Sequence, residues 1–312
     1  MDDKIVQLAP MLGLIDAPFM NALVKIGGFD EMFAPYILAD EKSLAHRGVL
    51  RHRFCNVDKS VILVPQLLSN SEVGFLHFAN QLYNLGYKKV SWNMGCPQPF
   101  VIERNRGAAM LKNITTTASL IEAVLPKLQP QLSIKIRLGY TSCDEFYKLI
   151  EMFNRFEISE LVVHARTAEQ QYAGNVDKET FVKGAKLSRN RLVYNGDIYS
   201  TADIENLQLP NLKGFMIGRG AIANPFIGLQ IKGKCIGNQA EKFKTFCLDI
   251  QNWYFSYGGR GSVNRMKELW KYFSKSFVSE NQVFNELLPI TNSADFTSAV
   301  NRIFDIYQLK FN

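Results

Sequence analysis

The chain has 312 residues, 47% of them hydrophobic, and 36 basic against 29 acidic side chains give a net charge of +7. That length suggests about two domains or one large barrel with an appendage, and the apolar share excludes disordered and fibrous classes. Five cysteines without a C-x-x-C spacing exclude a secreted disulfide scaffold, no apolar run approaches the ~18 residues of a membrane span, and the acidic start Met1-Asp2-Asp3-Lys4 is unlike a signal peptide, so a soluble cytoplasmic protein is expected.

Short apolar runs read as strands begin at Ile5 (IVQLA), Met32 (MFAPYI), Val61 (VILVPQ), Lys89 (KVSWN), Ser133 (SIKIRLG), Leu161 (LVVHA), Arg191 (RLVYNG) and Gly214 (GFMIGR). The second run contains Pro35 and is the weakest of them, since proline cannot donate to a strand ladder. Helix-like segments lie between, at Asn70–Leu85, Thr116–Leu128, Asp144–Phe156, Lys178–Leu187 and Thr201–Leu207. Alternating strands and helices imply parallel βαβ units, and eight of them predict an α/β fold, a (β/α)8 TIM barrel over residues 1–238. A doubly wound sheet is the alternative. From Gln239 the alternation stops, and residues 239–312 read as an all-helical C-terminal domain.

The charge is unevenly spread. Residues 232–275 carry nine basic side chains, among them Arg260, Arg265, Lys267, Lys271 and Lys275, against three acidic ones. Over Asn264–Phe277 the apolar residues Met266, Leu269, Trp270, Phe273 and Phe277 share one helical face, and Lys267, Lys271 and Lys275 form a row elsewhere. Such a row is a solvated helix face or an anion-binding one. A second basic cluster comprises His46, Arg47, Arg51, His52 and Arg53.

A barrel keeps its reactive groups at the C-terminal ends of its strands, with phosphate often bound after strands seven and eight. Those ends read Ala9-Pro10-Met11, Gln66, Asn93-Met94-Gly95-Cys96-Pro97, His164-Ala165-Arg166, Asn195-Gly196-Asp197 and Gly218-Arg219-Gly220. Taken singly, N-G-D is an ordinary turn and G-R-G a loop. On consecutive strand ends they make a phosphate cradle of glycine backbone and guanidinium. Lys135 and Arg137 alternate with Ile134, Ile136 and Leu138, which points two cations at one face. Inside a barrel they would need anionic partners; on an exposed edge strand they would not. Cys96, in a Gly-Cys-Pro turn, is a candidate nucleophile or general acid, whereas Cys143, Cys235 and Cys247 read as small buried hydrophobes and Cys55 stays open. The scattered histidines give no metal site, and no hydrolase triad stands out.

These motifs resemble, in order, those of the tRNA-dihydrouridine synthase family: LAPM with Asp16 and Phe19 following, VPQ, NMGCP followed by GAAML, SIKIRLG, VHART leading into QQYAG, YNGDI and GFMIGRGAIANPF. The resemblance runs from about Leu8 to Phe226, with helical similarity beyond. It implies FMN as cofactor, NADPH or NADH as reductant, and reduction of uridine in tRNA to 5,6-dihydrouridine. It puts Pro10 and Met11 against the flavin, Gln66 and Lys135 on its ring, and His164 beside it. Asn195, Gly196, Asp197, Gly218 and Arg219 would hold the phosphate and ribityl chain. Cys96 would be the general acid, delivering a proton to C5 while hydride reaches C6, and Asn93 and Arg137 would orient the flipped-out base. Arg265, Lys267, Lys271 and Lys275 would contact tRNA, with the 46–53 cluster as a lesser candidate. Many family members carry lysine after the cysteine where this chain has Pro99 and Phe100, and an aromatic residue where it has Lys178. A monomer with no metal and no membrane association is expected. Two other functions compete: a flavin barrel acting on a free pyrimidine, similar to dihydroorotate or dihydropyrimidine dehydrogenases, and a non-catalytic RNA-binding protein on a barrel relic.

Overall fold

A computed structural model describes residues 4–41, 56–207, 209–257 and 259–311. The basic cluster at 46–53 and Cys55 lie outside the described residues. The elements in chain order are β1 (Ile5–Leu8), α1 (Ala17–Ile26), β2 (Glu31–Phe33), β3 (Ile37–Leu38), β4 (Ile62–Val64), β5 (Gln66–Leu68), α2 (Glu72–Asn84), β6 (Lys89–Asn93), α3 (Pro99–Ile102), α4 (Ile114–Val124) and β7 (Gln131–Gly139). There follow α5 (Glu145–Phe153), β8 (Glu160–Thr167), α6 (Lys178–Ala185), β9 (Leu192–Asn195), β10 (Leu212–Ile217), α7 (Arg219–Ala223) and α8 (Ile227–Ile231). Four further helices end the chain: α9 (Gln239–Tyr257), α10 (Ser262–Phe273), α11 (Glu280–Leu287) and α12 (Ser293–Ile306).

The sheet closes. Its order is β3-β5-β6-β7-β8-β9-β10-β1-β2-β4, every pair is parallel, and β1 pairs with both β10 and β2. Two staves are each broken in half by a proline. Pro35 separates β2 from β3 and Pro65 separates β4 from β5; β2 pairs β4, β3 pairs β5, and β5 continues the ladder to β6. Ten short strands thus make the eight staves of a (β/α)8 barrel, which excludes the doubly wound alternative.

The period of two along each stave stacks the lumen in layers. On β8, Glu160, His164 and Arg166 are buried polar groups alternating with Leu161, Val163 and Ala165 of the outer core. The middle layer is apolar, built from Ala9, Phe33, Val64, Val162, Val193 and Met216. Beneath it, Gln7, Glu31, Lys89, Glu160 and Lys213 form one ion-pair network.

Around the outside, local capping explains where helices begin. Asp16, Ser71, Asn113 and Asp177 each accept a backbone N–H with their side chains at the starts of α1, α2, α4 and α6. The segment expected as a helix at Thr201–Leu207 is instead a 3-10 turn, Thr201–Ile204, in which Asp203 closes a capping box with Ser200. The helix α1 has no counterpart among the expected elements. The C-terminal helices are fused to the barrel's outer layer. Phe19 of α1 meets Phe246 of α9 edge to face at 5.5 Å, and both belong to the core cluster that runs through the whole molecule. Burying each such aromatic side chain contributes about 1.5–3 kcal/mol.

Candidate active site

The C-terminal ends of the staves surround a cavity of about 500 Å³, within the range of ligand pockets. Pro10, Met11, Gln66, Asn93, Cys96, Lys135, Arg137, His164, Asn195, Gly196, Asp197, Gly218 and Arg219 all line it. The barrel residues singled out by sequence therefore converge on one space.

Cys96 follows β6 in a loop fixed from three sides. Asn93 Oδ1 accepts from the N–H groups of Gly95 (3.1 Å) and Cys96 (2.9 Å), and Arg137 Nε donates to the Gly95 carbonyl at 2.8 Å. The third side is Gly107, whose φ of 58° lies in the left-handed region and whose added Cβ would stand 2.7 Å from the Cys96 carbonyl oxygen. This close approach, with the Ala108 N–H donating to the Cys96 carbonyl at 3.0 Å, ties the NMGCP and GAAML segments together. Burial pushes the thiol pKa up; hydrogen bonds from the Gln98 backbone and Tyr36 and the cations Arg137 and Lys135 pull against it without prevailing. The thiol is protonated at neutral pH and so can give a proton.

Lys135 reaches the cavity floor, where its Nζ donates to Asn195 Oδ1 at 3.0 Å. Burial, with repulsion from Arg137, lowers its pKa to about 7. Asn195 Nδ2 in turn donates to the Met216 carbonyl, which fixes the amide. His164 is held neutral, its pKa driven well down by burial and by Arg137, Lys135, Arg166 and Arg219.

Three expected contacts are committed elsewhere. Asp197, expected at a phosphate, spends its carboxylate on Arg166 and on Arg219 (2.6 Å); burial would raise its pKa, but the two guanidiniums hold it below the usual range. What remains free for an anion is the turn itself, with Gly196 at φ 139° and Asp197 at φ 43°. Asn93, expected on the base, donates to Gln66 Oε1 at 2.8 Å besides holding the cysteine loop. Arg137 donates to the carbonyls of Gly95, Thr167 and Gln171, so it knits two loops together.

Of the basic residues expected at tRNA, Arg265 points inward to Asp16 and Tyr254, and Lys267 donates to the Leu288 carbonyl at 2.7 Å. Lys271 and Lys275 are exposed. Lys275 lies in the turn after α10 rather than in the helix, over the rings of Tyr199 and Tyr272 at 5.9 Å each. Both rings line the cavity.

Sequence reasoning passes over several lining residues. Tyr36, Tyr172, Tyr199 and Tyr272 give the mouth an aromatic rim, and Arg219 and Arg137 lie 5.2 and 5.4 Å from the Tyr172 ring. Arg166, two residues beyond His164 on the same face of β8, lies behind this wall, buried and paired with Asp197. Among the other cysteines of the described residues, Cys247 is a buried hydrophobe, Cys235 lies exposed in the loop before α9, and Cys143 is half-buried beside Asp177. Among the described residues no group of three or more histidine, cysteine or carboxylate side chains could hold a metal, and no helix is long and apolar enough to cross a membrane.

A family model for dihydrouridine synthases matches residues 7–304. Curated relatives include the tRNA-dihydrouridine(16) synthase of Vibrio parahaemolyticus, 24% identical over 97% of each chain, and that of Escherichia coli K12, 25% identical over 97% of this chain and 99% of the relative. The Pseudomonas syringae protein of the same name is 28% identical over 72% of this chain and 74% of its own. Among solved structures, the old yellow enzyme from Trypanosoma cruzi aligns with a TM-score of 0.51 at 10% identity, over 76% of this chain and 90% of that one, a likeness of fold.

Proposed function

The chain belongs to the dihydrouridine synthase family, and we propose that it reduces a uridine of tRNA to 5,6-dihydrouridine with bound FMN and NADPH or NADH as the source of electrons. The observation that carries this reading is the pairing, in one cavity, of a protonated thiol at the mouth with under-neutralised cations at the floor. A half-buried ammonium that donates, among the described residues, to a neutral amide suits a group that carries negative charge, as the ring and phosphate of FMN do. The cavity fits that group in its donor set as well: amides at Gln66 and Asn195, a neutral imidazole, and a glycine-bearing turn beside Arg219.

In this reading Pro10 and Met11 flank the ring, Gln66, Lys135 and His164 meet its polar edge, and Asn195, Gly196, Gly218 and Arg219 hold the ribityl chain and phosphate. Asp197 orients Arg166 and Arg219 through its carboxylate. When bound, FMN would supply the hydride that adds to C6 of the uracil. Cys96 gives its proton to C5, which saturates the C5–C6 double bond, and solvent reprotonates the thiolate. Asn93 and Arg137 act through the loop that presents the thiol. The aromatic rim offers stacking faces for a base that has left its own stack.

The relatives' names specify position 16 of tRNA, and their alignments run through the C-terminal helices, so position 16 is the proposed target. Purified protein should carry a flavin absorbance and form dihydrouridine in tRNA from a strain lacking the gene. A colourless protein that cannot be reconstituted with FMN sinks the reading. Cys96→Ala should keep the flavin and lose about 10²–10⁴-fold in turnover; undiminished turnover would remove the thiol from the mechanism. Lys271→Glu with Lys275→Glu should weaken tRNA binding and flatten its salt dependence, by about one unit of slope for each phosphate no longer neutralised. Unchanged affinity would return both lysines to a solvated surface.

A further inference from the structure

The loop after β1 carries Pro10, Met11 and Leu12 into the cavity wall and ends at Asp16, the N-cap of α1. The Asp16 carboxylate is used twice. Its Oδ1 accepts the Phe19 N–H at 3.4 Å, which is the cap. Its Oδ2 accepts the Tyr254 hydroxyl of α9 and, at 3.1 Å, Arg265 Nη2 of α10. Arg265 Nε donates to the Tyr254 oxygen at 3.0 Å, so the hydroxyl both gives and receives and the triangle is closed.

The two uses have different requirements. A cap needs only a short polar side chain, and asparagine serves as well as aspartate. Holding a guanidinium needs the negative charge. The Arg265 side chain is 19% exposed and Asp16 38%, so the pair is partly shielded from water. A nearby pair, Lys25 with Asp249, also joins α1 to α9 but is largely exposed, and such pairs contribute little.

What the triangle joins matters more than its strength. On one side is the loop that forms the cavity wall. On the other is α10, which carries Tyr272 into the same wall and Lys271 on its surface, and which leads into the turn bearing Lys275. We propose that Asp16, Tyr254 and Arg265 are positioning residues that latch the C-terminal helices to the cavity wall, so that an RNA held on those helices presents its uridine at the depth of Cys96. The proposal rests on the RNA reading above. It also gives Arg265 a use other than the phosphate contact expected from sequence, since its Nε and Nη2 are turned to Tyr254 and Asp16.

The test compares Asp16→Asn, Arg265→Met and the double variant in the flavin-loaded protein. The latch requires that each single change raise the Kd for tRNA at least about fivefold, the lower end of typical coupling between sites. The double variant should be no worse than the worse single one. A direct phosphate contact gives the opposite sign at Asp16, since removing a carboxylate beside a phosphate-binding arginine would leave RNA affinity equal or tighter, and that result overturns the latch. Tyr254→Phe, which keeps the ring and loses only the hydroxyl, should act in the same direction; wild-type affinity there would overturn it as well. Hydrogen exchange without RNA separates the latch from the substrate reading. Arg265→Met should speed exchange of the backbone amides at Leu12–Ile15, far from it in sequence. Unchanged exchange sinks the latch, whereas faster exchange in a protein that never reduces tRNA sinks the substrate reading alone.

Discussion

The two ends of the barrel lumen both bury ions, and they balance them differently. At the N-terminal end Glu31 and Glu160 meet Lys89 and Lys213, and the Gln7 amide donates to both carboxylates. Charge is matched one for one within the protein. At the C-terminal end Lys135, Arg137, Arg166 and Arg219 face the cavity or border it with Asp197 as the carboxylate among them. The same strands supply both ends: β8 contributes Glu160 below and His164 and Arg166 above. Matching makes the lower layer a closed structural element. The surplus above is a standing cost to the cofactor-free chain and a ready attraction for an anionic ligand.

This contrast breaks first at Lys89. Lys89→Met should leave Glu31 without its cation and Glu160, which is fully buried, with Lys213 alone, at a cost of about 3–5 kcal/mol. Burial alone would raise the Glu160 pKa, yet Lys89 and Lys213 outweigh it and hold the carboxyl low, so losing one lysine removes much of what keeps it charged. Denaturant midpoints would measure the loss, and flavin affinity in the variant that still folds should be nearly unaffected. A variant as stable as wild type would mean that water or the remaining lysine neutralises the layer, and the two ends would then be alike.

The upper layer is legible in sequence and the lower one is not, for a physical reason. Functional groups at the mouth sit in contiguous strand-end motifs, so NMGCP or YNGDI carries its own signal. The lower layer draws one residue from each of several strands, and Gln7, Lys89 or Glu160 alone looks like an ordinary strand terminus. Alternation locates the staves, but it does not show that Pro35 and Pro65 each split one, because the ladder bypasses them through the pairs β2–β4 and β3–β5. Arg265 misleads for a related reason. Its helical neighbours suggest a basic surface, whereas the partner that turns it inward, Asp16, lies 249 residues away. Likewise the carboxylate of Asp197 resembles part of an anion cradle in sequence, and only the fold pairs it with two arginines.

The finer test lies at Lys135, where the same substitution should act with opposite sign. Burial sets its pKa at about 7 against the ordinary 10.5. Between those two values the unfolded chain binds a proton that the folded chain does not, so the stability of the cofactor-free protein should rise with pH from about 7 upward. Below that window the folded state bears the full cost of a buried ammonium. Lys135→Met removes the cost and the slope together, at the expense of the hydrogen bond to Asn195, and should stabilise the cofactor-free protein at pH 7 by about 1 kcal/mol. An anion in the cavity raises the lysine's pKa and should flatten the wild-type profile in the same way. Melting temperatures of both proteins from pH 7 to about 10, with and without FMN, read all three expectations. If the variant melts lower than wild type at pH 7, the ammonium is already balanced by the protein, and the unmatched charge that distinguishes the mouth from the base of this barrel does not exist.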